Sequence, residues 1–333
     1  LIYKNGKQKE EHFLFQLPNS LRLVFILLPI RSLVTFFQIL LFSWRLTKGF
    51  GQIEVFFTVN GFAAWIGWVL KTLHIVNKTV FWVWDYYPPY HKNIVIRIMR
   101  RIYRVFDRIS TSTGDRVVFV NKRTRNLRYT QGVLPIQKEF PVVPLGTELL
   151  YEGSKKPHSV IYGFLGVIKQ SHGLGVVFDN EQEILAKFPQ ARYEIIGSGP
   201  DEEYFRRRAK KSKIRVQFHG YLDDEGVHRV LGRCTIGIAT YIPDPTNVSY
   251  YGDPGKIKLY LSLGIPVIAT DVIEFALEIQ RAKAGEIIHS SNPEEFIVAT
   301  QKIMTNYNAY VQGAKLLAKK YYYKKIYPEL FRF

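Results

Sequence analysis

Apolar residues follow two habits along this chain: short β-branched or aromatic runs, and longer stretches with apolar positions three and four apart. The first habit predicts strands and the second helices. In the first half, a helical stretch at 33–48 leads through Gly49 and Gly51 to a β-rich run at 53–59. A helix at 63–73, a strand at 79–84 and a turn at 85–89 follow, then a helix at 93–109 and a strand at 116–120. The second half repeats the alternation, with strands at 160–165, 193–196, 216–219, 236–239 and 267–269. Strands separated by helix-length segments predict βαβ units and parallel sheets. The expected fold class is α/β, with two Rossmann-like domains at 1–145 and 146–312 joined by a linker at 142–146, and a helical tail at 313–333 packing back toward the first domain. Ligands of such folds bind at the carboxyl ends of strands and in the cleft between domains.

Composition narrows the class. With 47% apolar and 22% charged residues over 333 positions, the chain is globular and not disordered or collagen-like. Cys234 is the only cysteine, which excludes a disulfide framework or a cysteine zinc site and fits a reducing, cytoplasmic compartment. Residues 21–44 are the best candidate for a membrane span, but Arg22, Pro29, Arg31 and Gln38 interrupt them, so no transmembrane helix is predicted. No signal peptide is read either. The chain opens on Leu1, and Leu1-Ile2-Tyr3 reads as the second strand of a sheet. Roughly 40 residues, the size of one βα unit, are expected upstream of it.

Charge points to a partner. The net charge is +18, and residues 1–150 hold 21 Lys and Arg against 8 Asp and Glu. All five tryptophans (Trp44, Trp65, Trp68, Trp82, Trp84) lie in the same half. Arg97, Arg101, Arg104 and Arg108 share one face at helical spacing, with Val95, Ile98, Met99, Ile102, Val105 and Ile109 largely opposite. That face is either a contact for an anionic membrane surface or an ordinary solvated helix face. Trp65 and Trp68 read as core. Nucleic acid is a poorer fit, because no RRM, KH or helix-turn-helix signature stands out.

The most informative motif is Tyr251-Gly252-Asp253-Pro254-Gly255-Lys256 ahead of an apolar helix. Asp253 reads as its N-cap and Pro254 as its first residue, which places Lys256 in the first turn with Lys258 nearby. Cations there oppose the helix dipole. They make sense if an anion binds at that end, where backbone N–H groups and Lys256 would converge on a phosphate. The spacing is not that of a Walker loop, and no Gly-x-Gly-x-x-Gly is present. Gly197-Ser198-Gly199-Pro200 is a short glycine turn after a strand. No acidic cluster suits Mg2+, so no metal site is expected.

Together, the stretches Gly166 to Gly173, Tyr193 to Pro200, Phe218-His219-Gly220-Tyr221-Leu222, the Lys256 helix with Gly264-Ile265-Pro266-Val267-Ile268, and Gly285-Glu286-Ile287-Ile288 resemble family 4 of the retaining glycosyltransferases, over about 160–290. The resemblance implies a GT-B fold, a UDP- or GDP-sugar as donor substrate with no other cofactor, and a retaining transfer. It places donor contacts at Gly166, Lys169, His172, Gly197, Gly199, Tyr221, Leu222, Tyr251, Gly252, Asp253, Pro254, Gly255 and Lys256. Where the family has an Arg and a Lys around its first glycine loop, this chain has Val167 and His172, with Lys169 as a substitute. The family's paired glutamates would fall at Tyr251 and Leu259 and are missing. On the acceptor side, Asp85 and His91 are candidates to orient or deprotonate a hydroxyl. The implied function is transfer to a lipid-linked or polysaccharide acceptor by a protein peripheral to the inner membrane face. The alternatives are a catalytically degenerate scaffold that binds membranes or polyanions, or a nucleotide-sugar epimerase.

Overall fold

The structure, a computed structural model, describes residues 2–4, 7–10, 24–151, 159–289 and 294–333, with side chains from residue 28 onward. Contacts divide the chain into two compact units, one of Leu1–Val83, Pro89–Val117 and Phe333, the other of Trp84–Pro88 and Val118–Arg332.

The first unit opens with β1 (Ile2–Lys4) and β2 (Lys7–Glu10), paired antiparallel. This corrects the reading of Leu1-Ile2-Tyr3 as a strand of the parallel sheet; Leu1 itself lies outside the described residues. Parallel neighbours need a crossover of a dozen or more residues, whereas β1 and β2 are nearly adjacent in sequence. Then come α1 (Val24–Phe50), β3 (Ile53–Thr58), α2 (Gly61–Thr72), β4 (Val76–Val83), α3 (Ile94–Thr113) and β5 (Arg116–Phe119). β3 runs parallel to β4, in a sheet ordered β3-β4-β5.

The starts of α2 and α3 are set by asparagines. Asn60 accepts the Phe62 N–H at 2.9 Å and Asn93 the Val95 N–H at 2.8 Å. Each satisfies a first-turn donor that the helix itself leaves without a partner. The indole of Trp65 packs among Phe36, Phe62 and Phe106, with ring centroids 5.2–5.9 Å away, in keeping with a core role. Asp115 ties this layer to the sheet, accepting the Thr79 N–H at 2.9 Å and pairing with Lys71.

The second unit contains α4 (Lys122–Thr130), β6 (Ile161–Leu165), α5 (Val176–Asp179), α6 (Glu181–Lys187), β7 (Arg192–Ile196), α7 (Glu202–Lys211), β8 (Arg215–Gly220), α8 (Asp224–Leu231), β9 (Ile236–Ala239), α9 (Gly255–Ser262), β10 (Val267–Thr270), α10 (Ala276–Arg281), β11 (Gly285–Ile288), α11 (Glu294–Thr305), α12 (Tyr307–Lys320) and α13 (Tyr323–Ile326). The β strands form one parallel sheet ordered β11-β10-β9-β6-β7-β8. Both faces are covered, so strands such as β9 and β10 are buried throughout. Successive residues serve opposite cores: Ile268 packs with Tyr162 and Phe296, while Val267 and Ala269 pack with Tyr260 and Ile279.

The chain grows from β6 toward β8, then returns to place β9 on the other side of β6. That reversal is a topological switch point, where the connections leave the sheet in opposite directions and open a crevice at the strand ends. The tail folds back onto this same unit. Tyr323 N donates to Thr147 O at 3.1 Å, and Tyr327 Oη accepts the Gly146 N–H at 3.0 Å.

Candidate active site

Leu165 and Gly166 end β6, and Tyr241 follows β9, so the switch point brings these residues together. They line a cavity of about 260 Å³ with Val167, His172, Pro254, Gly255, Lys256 and Leu259. A second cavity, of about 180 Å³, shares His172, Tyr241 and Pro254 as a common wall and adds Trp84, Asp85, Val120, Leu145, Ser249, Gly252 and Asp253.

α9 is aimed at this crevice by Tyr260. Its hydroxyl accepts the Leu165 N–H at 2.7 Å, and its ring lies where a Cβ on Gly237 would come within 2.5 Å. Tyr260 is fully buried, so the helix is locked to the ends of β6 and β9. Lys256 lies one turn earlier on the same helical face.

Lys256 is the unusual group of the site. Its Nζ is sealed from solvent and has no hydrogen-bond partner. It rests over the rings of Phe164 and Tyr241, 4.2 and 4.6 Å from their centroids. Ring faces attract a cation but supply no hydrogen bond. Burial therefore lowers its pKa to about 7.

The start of α9 differs from the sequence reading. Pro254 occupies the cap position, no side chain caps the helix, and Asp253 is not the N-cap. The carboxylate of Asp253 instead accepts the Leu145 N–H at 2.7 Å and pairs with Lys258. No side chain accepts from the first turn, where the Ile257 N–H donates to Pro254 O at 3.1 Å, and Pro254, Gly255 and Lys256 line the first cavity. Lys258 is thus committed to Asp253, and Lys256 is the lysine that faces the cavity.

His172 separates the two cavities. Its Nδ1 lies 2.9 Å from Val167 O and its Nε2 3.0 Å from Ser249 Oγ. A carbonyl only accepts, so Nδ1 carries the proton and Nε2 accepts from the serine. Burial, then the neighbouring charges of Lys256 and Lys169, hold the ring's pKa down at about 4 against the opposing bond to Val167. The ring is neutral at pH 7, a polar wall and not a cation.

The other sequence candidates are dispersed. Lys169 is half-buried ahead of the turn at 170–172 and lines neither cavity. Gly197 and Gly199 pack against the 166–168 backbone: a Cβ would come 2.1 Å from Gly166 O and 2.3 Å from Ile168 O, respectively. Their smallness lets one strand-end loop lie on the other. Tyr221 is exposed, and Leu222 packs on the core. Tyr251 turns its ring to Tyr86 and its carbonyl to Asn121 Nδ2, 2.8 Å away. Burial raises the pKa of Asp85, opposed by a hydrogen bond from Tyr87. His91 belongs to the first unit, where its Nδ1 accepts the Asn93 N–H at 3.1 Å.

Leu259 stands in the first cavity at the position where the sequence comparison looked for a glutamate. Ser249 and Tyr241 were not anticipated. Ser249 is 77 residues from His172 in sequence, so no local spacing announces their bond. Among the described residues, no group of three or more His, Cys, Asp or Glu is placed to hold a metal.

Residues 159–306, which contain the whole crevice except its 84–85, 120 and 145 walls, match the family model Glycosyl transferases group 1. No curated protein matches the sequence. Among solved structures, sucrose-phosphate synthase of Thermosynechococcus elongatus superposes with a TM-score of 0.68 at 14% identity, over 95% of this chain and 80% of that one. Anabaena HepE in complex with UDP gives 0.63 at 14% identity, over 84% and 77%. The lipopolysaccharide outer core galactosyltransferase WaaB gives 0.60 at 15%, over 92% and 81%. Likenesses at this identity establish the fold, which is GT-B.

Proposed function

With a glycosyltransferase group 1 domain on a GT-B fold as the premise, we propose that this protein moves a sugar, with retention, from a UDP- or GDP-sugar to a lipid-linked or polysaccharide acceptor at the inner membrane face. The observation that carries the reading is the Lys256 ammonium, buried without a hydrogen-bond partner at the switch-point cavity. A buried cation left open is costly unless an anion arrives to complete it.

The chemistry follows from the position. As the glycosidic bond to the nucleotide breaks, negative charge grows on the departing diphosphate. The first turn of α9 would donate to that charge, and so would Lys256 once its ammonium leaves the rings of Phe164 and Tyr241. His172, neutral and with both ring nitrogens bonded to Val167 and Ser249, walls the site and adds no charge. Asp85, in the adjoining cavity, would orient the acceptor hydroxyl and take its proton. HepE has been solved with UDP, which favours a uridine donor here. Arg97, Arg101, Arg104 and Arg108 would meet anionic headgroups.

Isothermal titration of UDP and GDP into wild type and Lys256→Ala tests the site. Equal affinities in the two proteins would remove it. A second reading, a scaffold that binds nucleotide without turnover, is favoured by Leu259, an apolar side chain lining the first cavity. Release of free sugar or transfer product from the donor would exclude it.

A further inference from the structure

We propose that α3 and α1 of the first unit seat their apolar faces in the interface of an anionic bilayer. This rests on the membrane placement proposed above and not on the sugar-transfer chemistry. The starting point is an inversion of ordinary amphipathic burial. A surface helix normally hides its apolar stripe and shows water its polar one. α3 does the reverse: Asp107, Ser110 and Thr111 are buried, whereas Ile94, Val95, Ile98, Ile102 and Val105 are 38–57% exposed.

The inward side is fixed by polar contacts with α2. Ser110 Oγ donates to Gly61 O at 2.8 Å, and Tyr103 Oη accepts the Gly61 N–H at 3.1 Å. The helices approach so closely there that a Cβ on Gly61 would lie 3.0 Å from Asp107 Cα. Side chains at 94, 98, 102 and 105 share one side of α3, and those at 97, 101, 104 and 108 run beside that side, which corrects the sequence reading that set the two groups largely opposite.

α1 shows the same arrangement. Phe36, Ile39 and Leu40 pack inward, while Ile30, Leu33, Phe37, Leu41 and Trp44 form a stripe 48–60% exposed. Lys48 Nζ lies 3.8 Å from the Trp44 ring centroid, and Arg45 is exposed beside it. α1 contains no Asp or Glu, and the only acidic residue of α3, Asp107, is buried.

Charge selects the occupant. Large apolar stripes bordered by cations, with no exposed carboxylate along either helix, complement apolar chains beneath anionic headgroups. The α1 stripe is about 21 Å long at ~1.5 Å per residue, suited to lying along a surface. Among the described residues, no helix is long and apolar enough to cross a membrane.

The test uses the shielded native thiol. Cys234 is 5% exposed, so a cysteine introduced by Ile102→Cys takes a polarity-sensitive dye selectively. The labelled protein is mixed with phosphatidylcholine vesicles, with and without phosphatidylglycerol. A blue shift and co-sedimentation with anionic vesicles only, together with an at least ~10-fold loss of partitioning in Ile98→Asp/Phe37→Ser at unchanged melting temperature, support insertion. Co-sedimentation without a dye shift would mean that the arginines bind headgroups while the apolar faces stay out, which overturns the inference and keeps the membrane placement. Absence of co-sedimentation overturns both. A shift that follows protein concentration without vesicles assigns the faces to a second copy of the chain.

Discussion

The ammonium of Lys258 donates to the carboxylate of Asp253 inside the protein, with the two side chains 0% and 4% exposed. This pair decides how the site is built. It draws one lysine of α9 into the structure, anchors the 253–255 turn to Leu145, and leaves the other lysine facing the cavity.

Breaking the pair from one side strands a buried charge. Asp253→Ala is expected to cost about 3–5 kcal/mol of stability, and Asp253→Ala/Lys258→Met to recover most of it. Chemical denaturation of the two variants checks this; additive losses would show that the charges are not coupled.

Lys256→Met exchanges a buried cation for an apolar chain of similar length. UDP affinity should fall roughly 10- to 100-fold, the range of a hydrogen bond to a charged group. Melting temperature should hold or rise, because the ammonium lacks a hydrogen-bond partner in the free protein. Thermal melts with and without UDP separate the two effects.

Nucleotide binding should weaken as pH rises. Free Lys256 titrates near pH 7, and a bound diphosphate favours its charged form, so binding takes up a proton above that pH. UDP affinity should drop by up to ~10-fold per pH unit above 7, until the lysine pKa of the complex is reached. His172, held near 4, stays neutral in that window and adds nothing. Titration calorimetry between pH 7 and 9 reads this directly, and a flat profile would contradict it.

Asp85→Asn keeps the shape of the second cavity and removes its base. Turnover should fall by about 100-fold or more, as for loss of a positioned general base, with the UDP dissociation constant unchanged. Single-turnover transfer assays on the purified variant provide the measurement.

Gly173 sits at φ +73°, and a Cβ there would lie 1.5 Å from Thr240 O. Gly173→Ala should therefore destabilise the second unit by more than ~1 kcal/mol, since both backbone and space reject the side chain. A denaturation midpoint equal to that of wild type would count against this close approach.

Much of the architecture was written locally. The strands at 161–165, 236–239 and 267–270 are largely buried runs, which demands near-continuous apolar sequence, and helices α2 and α3 begin at asparagines that cap them. β11 escaped the strand reading because Gly285-Glu286-Ile287-Ile288 is short and carries a charge that Tyr310 satisfies from another helix. Lys256 stood out by opposing the dipole of its own helix. Tertiary structure alone decided that Lys258 would pair with Asp253, that burial and the charge of Lys256 would keep His172 neutral, and that α3 would turn its apolar side outward. Each depends on groups brought together from distant parts of the chain, and side-chain spacing along one helix reports which residues share a face but not which face meets the core.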